Sequence, residues 1–228
     1  MPWRDYDVVC DSSSLISLTE ACFTELIMKI PEYLQGRLLI PKSVLYECIE
    51  HPREIKEYAL SAIRLKKALD SGAIHVVEHP EIQRATSKVV DVANRIFFIK
   101  GKPMKILHKG EGEMLALSRI IGTKNILMDE RTTRILVEDP YSLAEHLEKE
   151  FGHKVQINHE NLRKFQREFG DINIFRSSEL LIVAYEHGFF DDYGDLAREI
   201  IEASLYRLKF AGCSISFEEI QKYMLGVR

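Results

Sequence analysis

The sequence predicts an α/β protein: a central parallel sheet covered by helices on both faces and continued by a mainly helical C-terminal region. Three observations predict it. Short apolar runs rich in β-branched residues alternate with helical patterns as far as Pro140. Except at His75, those runs are continuously apolar, as strands buried on both faces are. Beyond Pro140 helical patterns dominate. At 228 residues, 46% of them hydrophobic and 29% charged, the chain can bury a sizeable core and does not have the composition of a disordered tail.

The elements follow in order. Val8-Val9-Cys10 ends at Asp11 and suits a buried strand. Ser12 to Ser14 supply the N-cap chemistry of a helix that turns Leu15, Ile16, Leu18, Cys22 and Leu26 inward. Leu38-Leu39-Ile40 stops at Pro41 and leads into a helix through Glu50. Residues 53–70 have an amphipathic pattern closed by Ser71-Gly72. Ile74-His75-Val76-Val77 is the third strand, and a helix over residues 81–98 follows. Lys100-Gly101-Lys102-Pro103 is expected to be a loop before a helix starting near Glu111. Ile126-Leu127-Met128 is the fourth strand and ends at Asp129. The later helices are expected over residues 141–151, 161–169, 178–187, 195–210 and 217–224, with Lys154-Val155-Gln156-Ile157 as a short strand at the sheet edge. The expected division is residues 1–157 as the α/β domain and 158–228 as a helical extension or subdomain.

A net charge of −4 excludes a generic nucleic-acid binder, so any grip on phosphates needs a local basic patch. Cys10, Cys22, Cys48 and Cys213 are scattered and form no Cys-x-x-Cys pair for zinc or redox chemistry. Met-Pro-Trp-Arg-Asp-Tyr-Asp lacks the features of a secretion signal, and no apolar run approaches the roughly 20 residues a bilayer requires. A cytoplasmic protein with no membrane partner is expected.

Asp11 and Asp129 each follow a predicted buried strand, on the sheet edge where open parallel sheets bind ligands. Two acids brought together there resist ionising unless a cation lies between them. Mg²⁺ or Mn²⁺, hard ions that take oxygen ligands and substrate phosphates, suit such a site. Against this stands the plain alternative that Asp11 caps a helix and Asp129 opens a turn. Glu47 sits among apolar neighbours in the helix after the second strand. Glu111 and Glu113 open a later helix, where capping alone explains one of them. Helical geometry does not choose between those two. Glu130 supports Asp129 or is simply solvated.

Four stretches together resemble the acidic motifs of PIN-domain nucleases. They are Val8-Val9-Cys10-Asp11-Ser12-Ser13-Ser14-Leu15-Ile16, then Pro41-Lys42-Ser43-Val44-Leu45-Tyr46-Glu47, then Gly110-Glu111-Gly112-Glu113-Met114-Leu115-Ala116-Leu117, then Ile126-Leu127-Met128-Asp129-Glu130-Arg131. They occur in the family's order. Leu180 to Phe189, and Ala211-Gly212-Cys213-Ser214-Ile215-Ser216, resemble the ending of a prokaryotic branch of that family; residues 158–177 have no counterpart there. The resemblance implies a PIN-like three-layer sandwich and a metal-dependent endonuclease acting on single-stranded or structured RNA. By motif match, Asp11, Glu47, Glu111 and Asp129 would be the catalytic, metal-binding acids, with Ser13 as a supporting hydroxyl and Glu113 and Glu130 beside them. Met128 stands where the family often has Thr, and Glu130 replaces its second Asp, which leaves open which of Asp129 and Glu130 touches metal. The resemblance also implies a homodimer. A toxin paired with an antitoxin protein competes with an RNA-processing enzyme, and the long tail leans away from the toxin.

Arg84, Lys88, Arg95, Lys100, Lys102, Lys105 and Lys109 concentrate positive charge before the third acidic motif. The last four are candidate RNA contacts, weighed evenly against a solvated helix face and loop. No alternation of basic and aromatic residues suggests base stacking. His108 is given no role. A phospho-aspartate phosphatase would need Asp-x-Asp where Asp11-Ser12-Ser13 stands, and a phospho-receiver domain would need an Asp where the third strand ends in Val77-Glu78. A PIN-like scaffold without catalysis is the remaining rival.

Overall fold

A computed structural model describes residues 6–226; Met1 to Asp5, part of the stretch that lacks secretion-signal features, lie outside the described residues. Its strands are β1 (Val8–Cys10), β2 (Leu38–Pro41), β3 (Ile74–Val77), β4 (Phe97–Ile99), β5 (Lys102–Pro103), β6 (Asn125–Leu127), β7 (Val155–Ile157) and β8 (Asn173–Phe175). The helices flanking the first strands are α1 (Ser12–Glu20), α2 (Thr24–Leu34), α3 (Lys42–Leu45), α4 (Ala59–Asp70) and α5 (Ile82–Ala93). Then come α6 (Lys109–Ile121), α7 (Arg131–Glu138), α8 (Pro140–Phe151), α9 (His159–Phe169), α10 (Ser177–Glu186), α11 (Ala197–Phe210) and α12 (Phe217–Gly226). A π-helical turn, Tyr46–Glu50, continues α3.

The main sheet has the order β3-β2-β1-β6-β8, and every neighbouring pair is parallel. With helices covering it, this is the α/β fold expected. β1, β2 and β6 are almost wholly buried, which is why their sequences are apolar at consecutive positions and not at alternate ones.

Several expectations are corrected. The first helix, α1, ends at Glu20, so Cys22 is exposed in the turn after it and Leu26 belongs to α2. The helix of residues 81–98 stops at Ala93, because Phe97-Phe98-Ile99 pairs with its neighbours as β4. Lys100 and Gly101, with φ of 52° and 74°, form the two-residue turn into β5, so the expected loop is a hairpin. Positive φ at both central residues is the turn whose twist matches paired strands. Asn94 ends α5 and anchors the segment leading to α6: its Oδ1 accepts from Ile106 and Leu107 N–H, each at 2.8 Å. β7 does not extend the main sheet; it pairs antiparallel with β4 in a separate three-stranded sheet.

The fifth place in the main sheet belongs to β8, from the stretch of residues 158–177. The sheet therefore runs past residue 157, the domain boundary expected from sequence. Leu162, Phe165, Ile174, Leu181, Leu205 and Ile220 share one buried cluster with Val9 and Leu39. The helix of residues 53–70 begins later, at Ala59, after a single 3-10 turn, Pro52–Glu54, and an extended Ile55.

Candidate active site

From β1 the chain steps outward to β2 and β3, then returns to β6 and β8 on the other side of β1. The order reverses between β1 and β6, and at such a point the loops leave in opposite directions and open a crevice at the carboxyl edge. Cys10 is in register with Leu127, and Asp11 N–H donates to Leu127 carbonyl at 3.0 Å. Asp11 and Asp129 thus leave adjacent backbones on either side of that crevice. α6 turns at Gly122 directly into β6, so it runs antiparallel to the sheet and its first turn, with Glu111, stands at the same edge.

Asp11 caps α1, accepting from Ser13 N–H at 3.3 Å and from Ser13 Oγ at 2.5 Å. Burial nonetheless raises its carboxyl above the usual range, and the charge of Asp129 adds to the rise, while the Ser13 bonds oppose it. Glu111 is raised as well, first by burial and then by the charges of Glu130 and Asp11. Its Oε2 is buried and accepts no hydrogen bond. A buried carboxylate oxygen without a donor is costly, and such groups ask for an explanation.

The other acids have partners. Glu47 is exposed, and its Oε2 accepts from Ser12 Oγ at 3.0 Å, which ties it to the residue after Asp11. Burial, followed by the charges of Glu47 and Asp11, pushes the Cys48 thiol up to about 12. Glu113 accepts from Ser43 Oγ at 2.6 Å. Glu130 caps α7, taking Thr132 and Thr133 N–H at 2.7 and 2.6 Å.

Asp129 is 2% exposed, and a residue that sequence reading missed holds both its oxygens. Ser177 N–H donates to Oδ1 and Ser177 Oγ to Oδ2, each at 2.8 Å. Ser177 is the first residue of α10, so the carboxylate faces the positive end of a ten-residue helix. In the sequence, Arg176-Ser177-Ser178-Glu179 reads only as a helix start. Arg176 itself, buried, pairs with Glu179 at 2.8 Å and with Glu219 of α12 at 3.0 Å. Burial works to raise Glu219, but Arg176 and Ser216 together lower it to about 2.

Of the candidate RNA contacts, Lys100 and Lys102 belong to the hairpin of the small sheet, Lys105 to the connection after it, and Lys109 to the first turn of α6, near Glu111. All four are exposed. Arg84 and Lys88 instead line a groove of about 900 Å³ with Arg119, Lys164 and Arg167, where α5, α6 and α9 meet. Among the described residues, no three of His, Cys, Asp and Glu are gathered closely enough to hold a metal ion. Glu47, Glu113 and Asp129 each accept instead from a neutral serine donor.

A PIN-domain family model matches residues 7–139, more than half of the chain and all four acidic motifs. The chain belongs to the PIN-domain family. No curated protein and no solved structure matched it. PIN domains are generally nucleases and typically use divalent metals. The donors of this PIN domain are of the right kind for one: hard oxygens, two carboxyls that resist ionising, and one buried oxygen lacking a partner. Ser177 lies outside the matched residues. No helix among the described residues is long and apolar enough to cross a membrane.

Proposed function

We propose that this PIN domain is a divalent-metal-dependent endoribonuclease, with Asp11, Glu47, Glu111 and Asp129 as its acids and Mg²⁺ or Mn²⁺ as its ion. The observation that carries the proposal is the unpartnered, buried Oε2 of Glu111 beside the charge of Asp11 at the strand-order reversal. A bound divalent ion supplies a water of lowered pKa and offsets charge on the scissile phosphate. The protein groups position and polarise. Asp11, fixed by Ser13, and Asp129, fixed by Ser177, offer oxygens whose orientation is set before any ligand arrives. Glu111 Oε2, free of hydrogen bonds, is the atom available to bind metal or to accept a proton. Glu113 is engaged by Ser43, which favours Glu111 over it as a ligand; Asp129 and Glu130 each accept two hydrogen bonds, and Asp129 is preferred for its place directly after β6 across from Asp11.

Labelled RNA oligonucleotides incubated with Mn²⁺ or Mg²⁺ test this. Wild-type protein is expected to cleave, EDTA to abolish cleavage, and Asp11→Asn to lower the rate by at least about a hundredfold, the upper end of what losing an outer hydrogen-bond partner costs. Equal cleavage by Asp11→Asn would refute the assignment. One observation favours a second possibility, a non-catalytic RNA-binding scaffold: both Asp129 oxygens already have donors. A wild-type protein that binds RNA and leaves it intact at every metal concentration would select the scaffold.

A further inference from the structure

The helix that carries Glu47 brings a different kind of side chain to the same edge. α3 passes into the π-helical turn as one helix from Lys42 to Glu50. Its Ser43 reaches Glu113 and its Glu47 reaches Ser12, so the face holding positions 43 and 47 looks onto the acids. Tyr46 lies three residues after Ser43 and next to Glu47, hence beside that face. It is 54% exposed.

The Tyr46 ring is braced. It stacks on His51 with ring centroids 5.5 Å apart and planes 17° from parallel. The π turn makes this contact. His51 N–H donates to Tyr46 carbonyl at 2.9 Å, a bond across five residues. In a regular α-helix residues five apart point roughly 140° away from each other. The wider turn brings them into line, and such turns recur where side chains must be re-aimed at a functional site. Among the described residues, His51 is the one ring in contact with Tyr46.

We propose that Tyr46, backed by His51, is a stacking platform for an unpaired nucleobase of the substrate strand, next to the acids. An uncharged flat face at the rim of a negative site offers nothing to a phosphate; it offers a large contact to another flat ring. Bases in a duplex already have both faces covered, so the platform selects single-stranded RNA. This inference rests on the nuclease assignment and adds to it a residue that holds a base beside the acids.

Fluorescence anisotropy tests it with labelled oligouridylate, oligoadenylate and an abasic strand of equal length, in the Asp11→Asn background so that the strand survives. Tyr46→Ala is expected to weaken binding about 5- to 100-fold, the range one stacked base contributes. Tyr46→Phe and Tyr46→Trp should stay within about twofold of the parent, because any base stacks on either ring. The abasic strand should bind the parent as weakly as oligouridylate binds Tyr46→Ala. The salt dependence should not change, since no phosphate contact is lost. His51→Ala should cost less than Tyr46→Ala. Equal binding by Tyr46→Ala and the parent overturns the platform and leaves the nuclease assignment standing. No binding by any variant defeats both. If Tyr46→Ala instead splits a dimer in sedimentation while RNA binding is unchanged, the face belongs to a second copy of the chain and the proposal is wrong.

Discussion

Asp11 and Glu111 are acids in surroundings that disfavour their charge. Burial is the first cause in both, and neighbouring carboxylates add to it. Their folded pKa values therefore lie above the unfolded ones. Between the two values the native state binds more protons than the unfolded chain, so stability falls as pH rises through that window, and the penalty is complete above it. A neutral Asp11→Asn side chain escapes the penalty and its oxygen can still cap α1. In EDTA at neutral pH the variant is expected to melt a few degrees above wild type, with the gap closing below about pH 4, where unfolded carboxyls also protonate. Scanning fluorimetry across pH measures this, and a wild type that melts higher at neutral pH would contradict it. That Asp11 and Asp129 stand at the same sheet edge was legible in the sequence, because each directly follows a run of buried aliphatics. The commitments of Glu113 and Glu130 were not, since each depends on where another segment lies: Ser43 for one, the first turn of α7 for the other.

Elements were legible in proportion to their length and burial. β1, β2, β3 and β6 announce themselves as aliphatic runs, and the helices from α8 to α12 lie within a few residues of expectation. β4 reads as helix because Val89, Ala93 and Ile96 keep helical spacing up to its edge; only the hairpin partner decides. β8, Asn173-Ile174-Phe175, is as short as β1 and β6 but has only Ile174 buried, so it presents no aliphatic run. Yet this is the strand that delivers α10 to Asp129. Helix α10 acts there as a whole element, through the dipole and hydroxyl of its first turn. Ser177→Ala keeps the backbone donor and removes the hydroxyl. It is expected to weaken Mn²⁺ binding about tenfold, at the low end for an outer partner of a ligand, with Ser177→Thr restoring most of it. Isothermal titration settles the matter, and an unchanged Mn²⁺ affinity in Ser177→Ala would assign the serine to folding alone.

Across the whole molecule, the family match ends at Asp139, while the sheet and the single core continue through β8, α10 and α11. A chain cut after Ile157 would bare the outer edge of β6, strip Leu181 and Leu205 from the core, and leave the buried Asp129 carboxylate without either donor. Such a fragment is expected to show no cooperative unfolding transition in urea and poor dispersion in its amide NMR spectrum; a cooperative fold would show that residues 158–228 are an appendage. The overall class was legible because alternation of strand and helix is a property of long stretches. Closure of the sheet by a late strand was not, because sequence order does not say which edge a strand will join. Translation gives that closure a direction in time. Asp11 leaves the ribosome early and Ser177 late, so a growing chain carries its first acid long before the hydroxyl that orients the last one exists. On the proposed function, the Asp129 side of the site is therefore completed only after α10 has been made.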